Sequence, residues 1–438
     1  MALDKKAFNE GLIEFIGASP TPFHAVAQIA ARLTAAGYQE LKEKDEWTLE
    51  PNQGYWVTRN DSSIIAFHTG KDLDLGNGIR MVGAHTDSPC LKVKPNPILA
   101  GSGCQRLAAE VYGGVLLGPW FDRDLSLAGR VTYKDTNGAL KSTLVDFEKP
   151  IAHIPSLAIH MDREVNNGRK INRQKELNML LSVGSESLSF ETLLGELVQK
   201  QVSEKITVLD HEIYAYDTQP PSIIGLEEDF IVSARLDNLL SCYIGINAFL
   251  ESDSKSTGSQ AKLLVCNDHE EIGSQSACGA DGPFLRDVLE RLCGSREKIT
   301  RVLARSMMIS ADNAHAIHPN FPEKHDGNHG PILNAGPVIK VNANQRYATN
   351  SENAALFKEL ADQAGEPYQI FVSRNDMGCG STIGSITAGE LGVTTIDIGC
   401  PQWSMHSIRE TAGVDDAFSL SNIFNCFFTY DKPLVVGK

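Results

Sequence analysis

No Cys-x-x-Cys pair occurs among the nine cysteines, so the paired-thiol signature of zinc ribbons and dithiol redox motifs is missing. Their odd number and scattered spacing do not suit a disulfide framework either. Cys242, Cys266, Cys293 and Cys426 lie in apolar or helical contexts and are expected to be buried free thiols of a reducing compartment. No stretch approaches the roughly 18 consecutive apolar residues of a membrane span. The opening residues, MALDKKAFNEGLIEFIG, carry no long apolar core after their lysines, so a secretory leader is not expected and the cytoplasm is the expected location. Positive charge is scarce: 40 Lys and Arg face 55 Asp and Glu, a net charge of −15. An acidic surface argues against nucleic-acid and anionic-membrane partners, and any acidic ligand would need a locally cationic pocket. Internal repeats and low-complexity segments are also missing.

What is present is a chain of 438 residues, too long for one ordinary core, so two domains are expected. Residues 4–17 and 22–37 read as amphipathic helices separated by Ser19-Pro20-Thr21-Pro22. Residues 55–58 and 63–68 read as strands. From about Pro95 to Asp229 the texture changes to short alternating segments such as 111–117, 127–133 and 210–216, with one helix-like stretch over 187–202. This predicts a β-rich module at 96–230 inserted into an α/β domain formed by 1–95 and 231–438. His160, in SLAIHMDR, sits in a strand-like setting, where a lone histidine is usually structural.

The α/β portion repeats one design. An apolar run ends abruptly in a side chain able to bind a hard or borderline metal. The run 263–266 ends in Asn267-Asp268-His269-Glu270-Glu271, and the run beginning at Arg80 ends in His85-Thr-Asp87. Asp237 follows the strand-like 230–234 and precedes a long apolar helix, 239–250. Asp312 follows 306–310, and His406 follows 394–398 at a greater distance. Each has a plainer reading on its own: Asp237 as a helix N-cap, Glu270-Glu271 as a solvated turn, His85–Pro89 as a closed turn. Together they favour a metal site, because C-terminal strand ends of a parallel sheet converge on one edge. Two histidines and three carboxylates suit two Zn²⁺-like ions with one bridging carboxylate, whereas a single zinc needs only three ligands. Of two adjacent glutamates, one can bind metal and the other move protons. Asp87 is placed to orient His85. The glycines of Met377–Gly384 depart from the strict dinucleotide fingerprint and read as a close-packed turn into a helix, with Asp397 inside a strand.

HTDSP at 85–89, ARLDN at 234–238, NDHEEIGS at 267–274, SADNAHAIHPN at 310–320 and MHSIRE at 405–410 resemble the aspartyl aminopeptidases, a family of two-zinc metallopeptidases. The resemblance implies a three-layer α/β/α catalytic domain with a central mixed, mostly parallel sheet, plus an inserted β-rich dimerisation domain. It implies that His85, Asp237 and Asp312 hold one zinc, with Asp237 bridging to a second held also by Glu271 and His406. Glu270 would be the general base and Asp87 would orient His85. His315, Lys340 and Tyr347 would contact the substrate, and His160 would enter a neighbouring subunit's active site. The implied cofactor is two Zn²⁺ per subunit, with Co²⁺ or Mn²⁺ as substitutes, and the implied assembly is a dodecamer built from dimers. Asn313 is a departure, standing where Met is expected, and bears on the shape of the specificity pocket.

The expected activity is therefore removal of an N-terminal Asp or Glu from small peptides. Lys340 is the cation suited to the substrate carboxylate; its plainer reading is a surface lysine on an edge strand. Three other functions use the same residues: a two-metal aminopeptidase preferring apolar residues, an amidohydrolase of small N-acyl amino acids, and a non-catalytic self-assembling binding protein.

Overall fold

The computed structural model describes residues 4–435 apart from 72, 74, 185–188 and 256–259. The chain divides into two contact units. The first comprises Met1–Asp87, Pro221–Met405 and Glu410–Lys438; the second comprises Ser88–Pro220 and His406–Arg409. The division therefore differs from the expected edges at 95/96 and 230/231. The whole strand Cys90–Gly101 belongs to the second unit and the strand Ser222–Ile224 to the first.

In the first unit, Asp4 caps the helix Lys5–Gly17 by accepting from the Ala7 amide, and Thr21 caps Pro22–Ala35 through the His24 amide. Such caps satisfy amides that a helix start leaves unpaired. The unit is built on a nine-stranded mixed sheet. Its centre is four parallel strands in the order Ala261–Asn267, Ile79–His85, Met307–Ala311 and Thr394–Gly399. Every residue of Ala261–Asn267, Ile79–His85 and Met307–Ala311 is buried, as expected of parallel strands covered on both faces. That is why these strands read as unbroken apolar runs.

Side chains alternate between two cores. Leu264, Cys266, Val82, Ala84 and Ile309 pack toward the helices Leu236–Lys255, Ser351–Ala364 and Asp416–Thr429. Leu263, Val265, Met81 and Met308 pack toward Phe284–Cys293, Arg296–Leu303 and the helix beginning at Ile383. Each fully buried Leu or Met contributes about 1.5–3 kcal/mol relative to exposure. The architecture is the expected three-layer α/β/α arrangement with a mixed central sheet.

A second, five-stranded sheet in this unit changes one inference. Asp237 follows Phe230–Ser233, which pairs with Ser222–Ile224 and Glu410–Gly413 and not with the large sheet. His406 follows Pro401–Trp403 of the same small sheet. Only His85, Glu270/Glu271 and Asp312 stand at ends of the central parallel strands, so convergence on one sheet edge accounts for three of the five expected positions.

The second unit is a six-stranded antiparallel sheet, in the order Leu140–Asp146, Leu125–Lys134, Thr207–Asp217, Cys90–Gly101, Cys104–Tyr112 and Met179–Val183. The expected segment 111–117 is strand only through Tyr112. The helix is Phe190–Gln201, capped by Ser189; the expected start at 187 lies outside the described residues. His160 is not in a strand but in an exposed turn, beside exposed Leu157, Ile159 and Met161. Alternation of apolar and polar residues there comes from an irregular loop rather than a pleat.

All nine cysteines are free; Cys242, Cys266 and Cys293 are buried and Cys426 is half-buried. Among the described residues, no helix is long and apolar enough to cross a membrane. Gly384 opens its helix against the buried Asp397, whose Oδ1 lies 2.3 Å from where a Cβ would stand. Close packing thus explains that glycine.

Gly399 ends its strand with no room for a side chain: a Cβ would lie 1.9 Å from the Asp312 carbonyl oxygen. Gly399→Ala is expected to destabilise the protein by about 1–3 kcal/mol or more, because backbone cannot step aside as a side chain can. Thermal or denaturant unfolding measures this, and a stability equal to wild type would show that the strand end yields.

Candidate metal centre

Five ionisable side chains of the first unit meet around His85. Its Nε2 lies 3.3 Å from Asp237 Oδ1, 3.7 Å from Asp312 Oδ1 and 4.0 Å from Glu270 Oε2. His85, Asp237 and Glu271 each offer one ligand atom within 4.8 Å of the others. His85 and Asp312 are placed by the ends of adjacent parallel strands. Glu270 and Glu271 are carried on a single 3-10 turn, Glu270–Ile272, directly after the neighbouring strand. Asp237 sits where the chain enters the helix Leu236–Lys255, with non-helical backbone at Asp237 and Asn238. Its carboxylate faces His85.

Asp87, fully buried, holds the other side of the histidine. His85 Nδ1 lies 3.0 Å from the Asp87 carbonyl and 3.3 Å from Oδ1. The same carboxylate accepts the Glu270 amide at Oδ1 and the Glu271 amide at Oδ2, each at 3.1 Å. One side chain therefore fixes both the ring that presents Nε2 and the turn that presents the two glutamates. A ligating histidine needs such a partner on its other nitrogen.

Electrostatics shows what the cluster requires. Burial, reinforced by the charges of Asp312, Asp87 and Asp237, pushes the Glu270 carboxyl up to about 8 despite His85 nearby. Burial and the Asp237 charge raise Glu271 well above the usual carboxylate range. Burial disfavours the His85 imidazolium, yet its contacts with Asp237, Asp312 and Asp87 raise its pKa well above normal. A buried excess of negative charge that takes up protons is a site that favours cations. Nitrogen and carboxylate donors at this spacing fit zinc.

The expected substrate-contact residues are distributed differently. Lys340 is 2% exposed, on a strand flanked on both sides, so it is not a surface lysine on an edge. Its Nζ lies 3.3 Å from Asp312 Oδ2 and 3.2 Å from the Asn313 carbonyl, above the buried Tyr347 ring. His315 is exposed and lines a cavity of about 270 Å³ together with His318, Lys324, His325, Phe371, Arg374 and Trp403. His406 and His160 belong to the second unit. There His406 Nδ1 lies 3.1 Å from the Gly114 carbonyl, which leaves Nε2 as the nitrogen not engaged by that contact.

The sequence reading missed a buried polar chain. Asn313 Nδ2 donates to the Leu236 carbonyl at 2.8 Å and to Gln402 Oε1 at 2.9 Å. Gln402 Nε2 reaches Glu410 Oε1 at 3.5 Å, and Glu410 Oε2 accepts the Asp237 amide at 3.0 Å. The residue after Asp312 is thus tied to Leu236 directly and to the Asp237 amide through Gln402 and Glu410. Met at position 313 could not donate, so this departure has a structural use. Glu410 stood inside the motif MHSIRE, but nothing in its spacing indicated a link to Asp237.

These features define a buried histidine–carboxylate centre of the metallohydrolase type, and comparison with known proteins fixes its family. The Aminopeptidase I zinc metalloprotease (M18) family matches residues 15–428. A probable M18 family aminopeptidase 2 of Pseudomonas fluorescens (strain SBW25) is 56% identical over 433 residues, covering 98% of this chain and 100% of that protein. The cryo-EM structure of the Ape4 and Nbr1 complex superposes with a TM-score of 0.94 at 38% identity, covering 97% of this chain and 86% of that one. The S. cerevesiae mApe1 dodecamer gives a TM-score of 0.84 at 29% identity, covering 97% of each chain. The chain belongs to the M18 family of zinc aminopeptidases.

Two outcomes are expected from this geometry. Asp87→Asn keeps the shape but turns an N–H toward an amide that needs an acceptor; zinc affinity should fall about 10–100-fold in a competition titration with a chromophoric chelator. An unchanged affinity would remove Asp87 from the positioning role. Asn313→Leu leaves the Leu236 carbonyl and Gln402 without their donor and should cost about 1–3 kcal/mol in denaturant unfolding. A neutral result would mean that the polar chain repacks.

Proposed function

We propose that this M18 aminopeptidase removes N-terminal Asp or Glu from peptides, using two zinc ions and Glu270 as general base. The supporting observation is the cavity beside the centre. It is lined by His315, which follows Asp312 by three positions, and by Lys324, His325 and Arg374. In a chain of net charge −15, the lining cations Lys324 and Arg374, the latter paired with Asp376, are suited to an acidic side chain, with the two histidines as neutral hydrogen-bonding groups. Lys340, expected to grip that side chain directly, would instead act through Asp312, which it holds in place.

His85, Asp237 and Asp312 would hold one zinc, and Asp237, Glu271 and His406 the second; His406 keeps this assignment on the motif MHSIRE alone. When bound, two such ions would supply polarisation of a peptide carbonyl and acidification of water. Glu270, its backbone held by Asp87, would take a proton from the attacking water and deliver it to the nitrogen of the leaving amine. The substrate's free α-amine would meet carboxylates of the site or the second zinc. Co²⁺ or Mn²⁺ would substitute on the same O/N donors.

The proposed assembly is a homo-oligomer, a dodecamer built from dimers, with the β-rich unit as the dimerisation module. A solved relative is a dodecamer, and exposed Leu157, Ile159 and Met161 around His160 suit contact with a neighbouring copy. His160 would enter the neighbour's site. The nine free thiols suit work in a reducing cytoplasm.

The deciding experiment compares an unblocked Asp-Ala-Pro peptide with its Leu counterpart, before chelation, after it, and with zinc restored. Zinc-dependent preference for Asp is expected. Preference for Leu would overturn the acidic specificity, and cleavage of only N-acylated substrates would overturn the aminopeptidase reading of this site. Glu270→Gln should lower turnover about 10²–10⁴-fold with zinc retained. An undiminished rate would exclude Glu270 as the base.

A further inference from the structure

A second cluster of metal-ligand type lies next to the first in sequence and plays no part in the mechanism above. Asp268, His269 and Cys278 each offer one donor atom, and the three atoms lie within 4.8 Å of one another. His269 Nδ1 is 3.5 Å from Cys278 Sγ, and His269 Nε2 is 3.4 Å from Asp268 Oδ2. Ser276 Oγ completes the group, 2.8 Å from His269 Nδ1 and 3.7 Å from the sulfur.

The donors are held by backbone contacts. Ser63 Oγ donates to the Cys278 carbonyl at 2.9 Å and accepts the Asp268 amide at 2.8 Å. Asn267 Nδ2 donates to the same Cys278 carbonyl at 3.1 Å. His269 has a left-handed backbone, φ 64°, two residues past the strand that ends at Asn267. Asp268 and Cys278 are buried, and His269 is partly open to solvent, so a small ion has a way in while a peptide does not.

We propose that Asp268, His269 and Cys278 form an additional zinc site, with Ser276 or water in the fourth position. Tetrahedral zinc, with bonds of about 2.3 Å to sulfur and about 2.0 Å to nitrogen, separates those two ligands by roughly 3.5 Å. That is the spacing found between His269 Nδ1 and Cys278 Sγ. Asp268, which faces the other ring nitrogen, Nε2, must close in from within 4.8 Å to join them. A thiolate also distinguishes this site from the His85 centre, whose donors are nitrogen and oxygen only. It selects Zn²⁺ or Co²⁺ over Mn²⁺, Mg²⁺ and Ca²⁺. On binding, Cys278 and the ligating nitrogen of His269 give up their protons to solvent, and metal–sulfur and metal–nitrogen bonds form. Because His269 immediately precedes Glu270, an ion here also anchors the turn that carries the general base.

The test counts ions and then identifies the ligand. After equilibrium dialysis against Zn²⁺, the full-length wild type should retain one more zinc per subunit than Cys278→Ser. After stripping and titration with Co²⁺, the wild type should show a near-ultraviolet sulfur-to-cobalt charge-transfer band, which the His85 centre cannot produce. Cys278→Ser should lack it. His269→Asn, compatible with a left-handed backbone, should weaken cobalt binding by more than the about 10–100-fold that losing an outer partner costs. Equal zinc content in wild type and Cys278→Ser, or no band in the wild type at saturating Co²⁺, overturns the proposal. A band that survives Cys278→Ser assigns the sulfur elsewhere and also overturns it. Should Cys278→Ser fail to fold, the wild-type spectrum together with His269→Asn decides.

Discussion

The centre depends on one carboxylate accepting in three directions. Asp87 holds the His85 ring and receives the amides of Glu270 and Glu271. A buried carboxylate without such donors would carry a desolvation penalty of several kcal/mol. With them, that cost is offset, and the strands Ile79–His85 and Ala261–Asn267 are locked in register at the point where their ligands emerge. The side chains of the centre are thus positioned by hydrogen bonds within the polypeptide. A cation gains from this arrangement because the surrounding carboxylates repel one another until it binds.

A second support runs through the buried polar chain from Asn313 to Glu410. It joins the large sheet, which carries Asp312, to the small sheet, from which Asp237 emerges. Neither sheet alone could set the distance from Asp237 to Asp312. Lys340 adds a third constraint, bonding both the Asp312 carboxylate and the Asn313 carbonyl. Three of the ligand-bearing segments are therefore fixed by neutral, anionic and cationic groups that are themselves buried and paired, which is the condition under which polar groups can remain inside a protein.

The sequence made the central strands and their terminal ligands easy to read. Strands covered on both faces must be apolar throughout, so His85, Asp312 and Glu270 stand out against their runs. Of the five-stranded sheet only Phe230–Ser233 was legible as a strand; the others are two to four residues long, too short to show a period. Asp237 was found by its residue type and setting, yet for a reason that the small sheet replaces. His160 was read as strand-like because a loop with alternating exposed apolar residues has the same pattern as a pleat. The partners of Lys340, Asn313 and Glu410 come from distant segments, and no local periodicity encodes them.

The hydrogen bond from the Asp237 amide to Glu410 spans 173 positions of sequence. A contact of such separation pays its loop-closure entropy late, after local helices and hairpins have formed. The centre is consequently among the last parts of the first unit to be completed. While the chain is still emerging from the ribosome, the segments bearing His85, Asp237 and Asp312 can be present without Glu410 to hold them. A centre held together in this way is not complete until synthesis has passed Glu410, near the end of the chain.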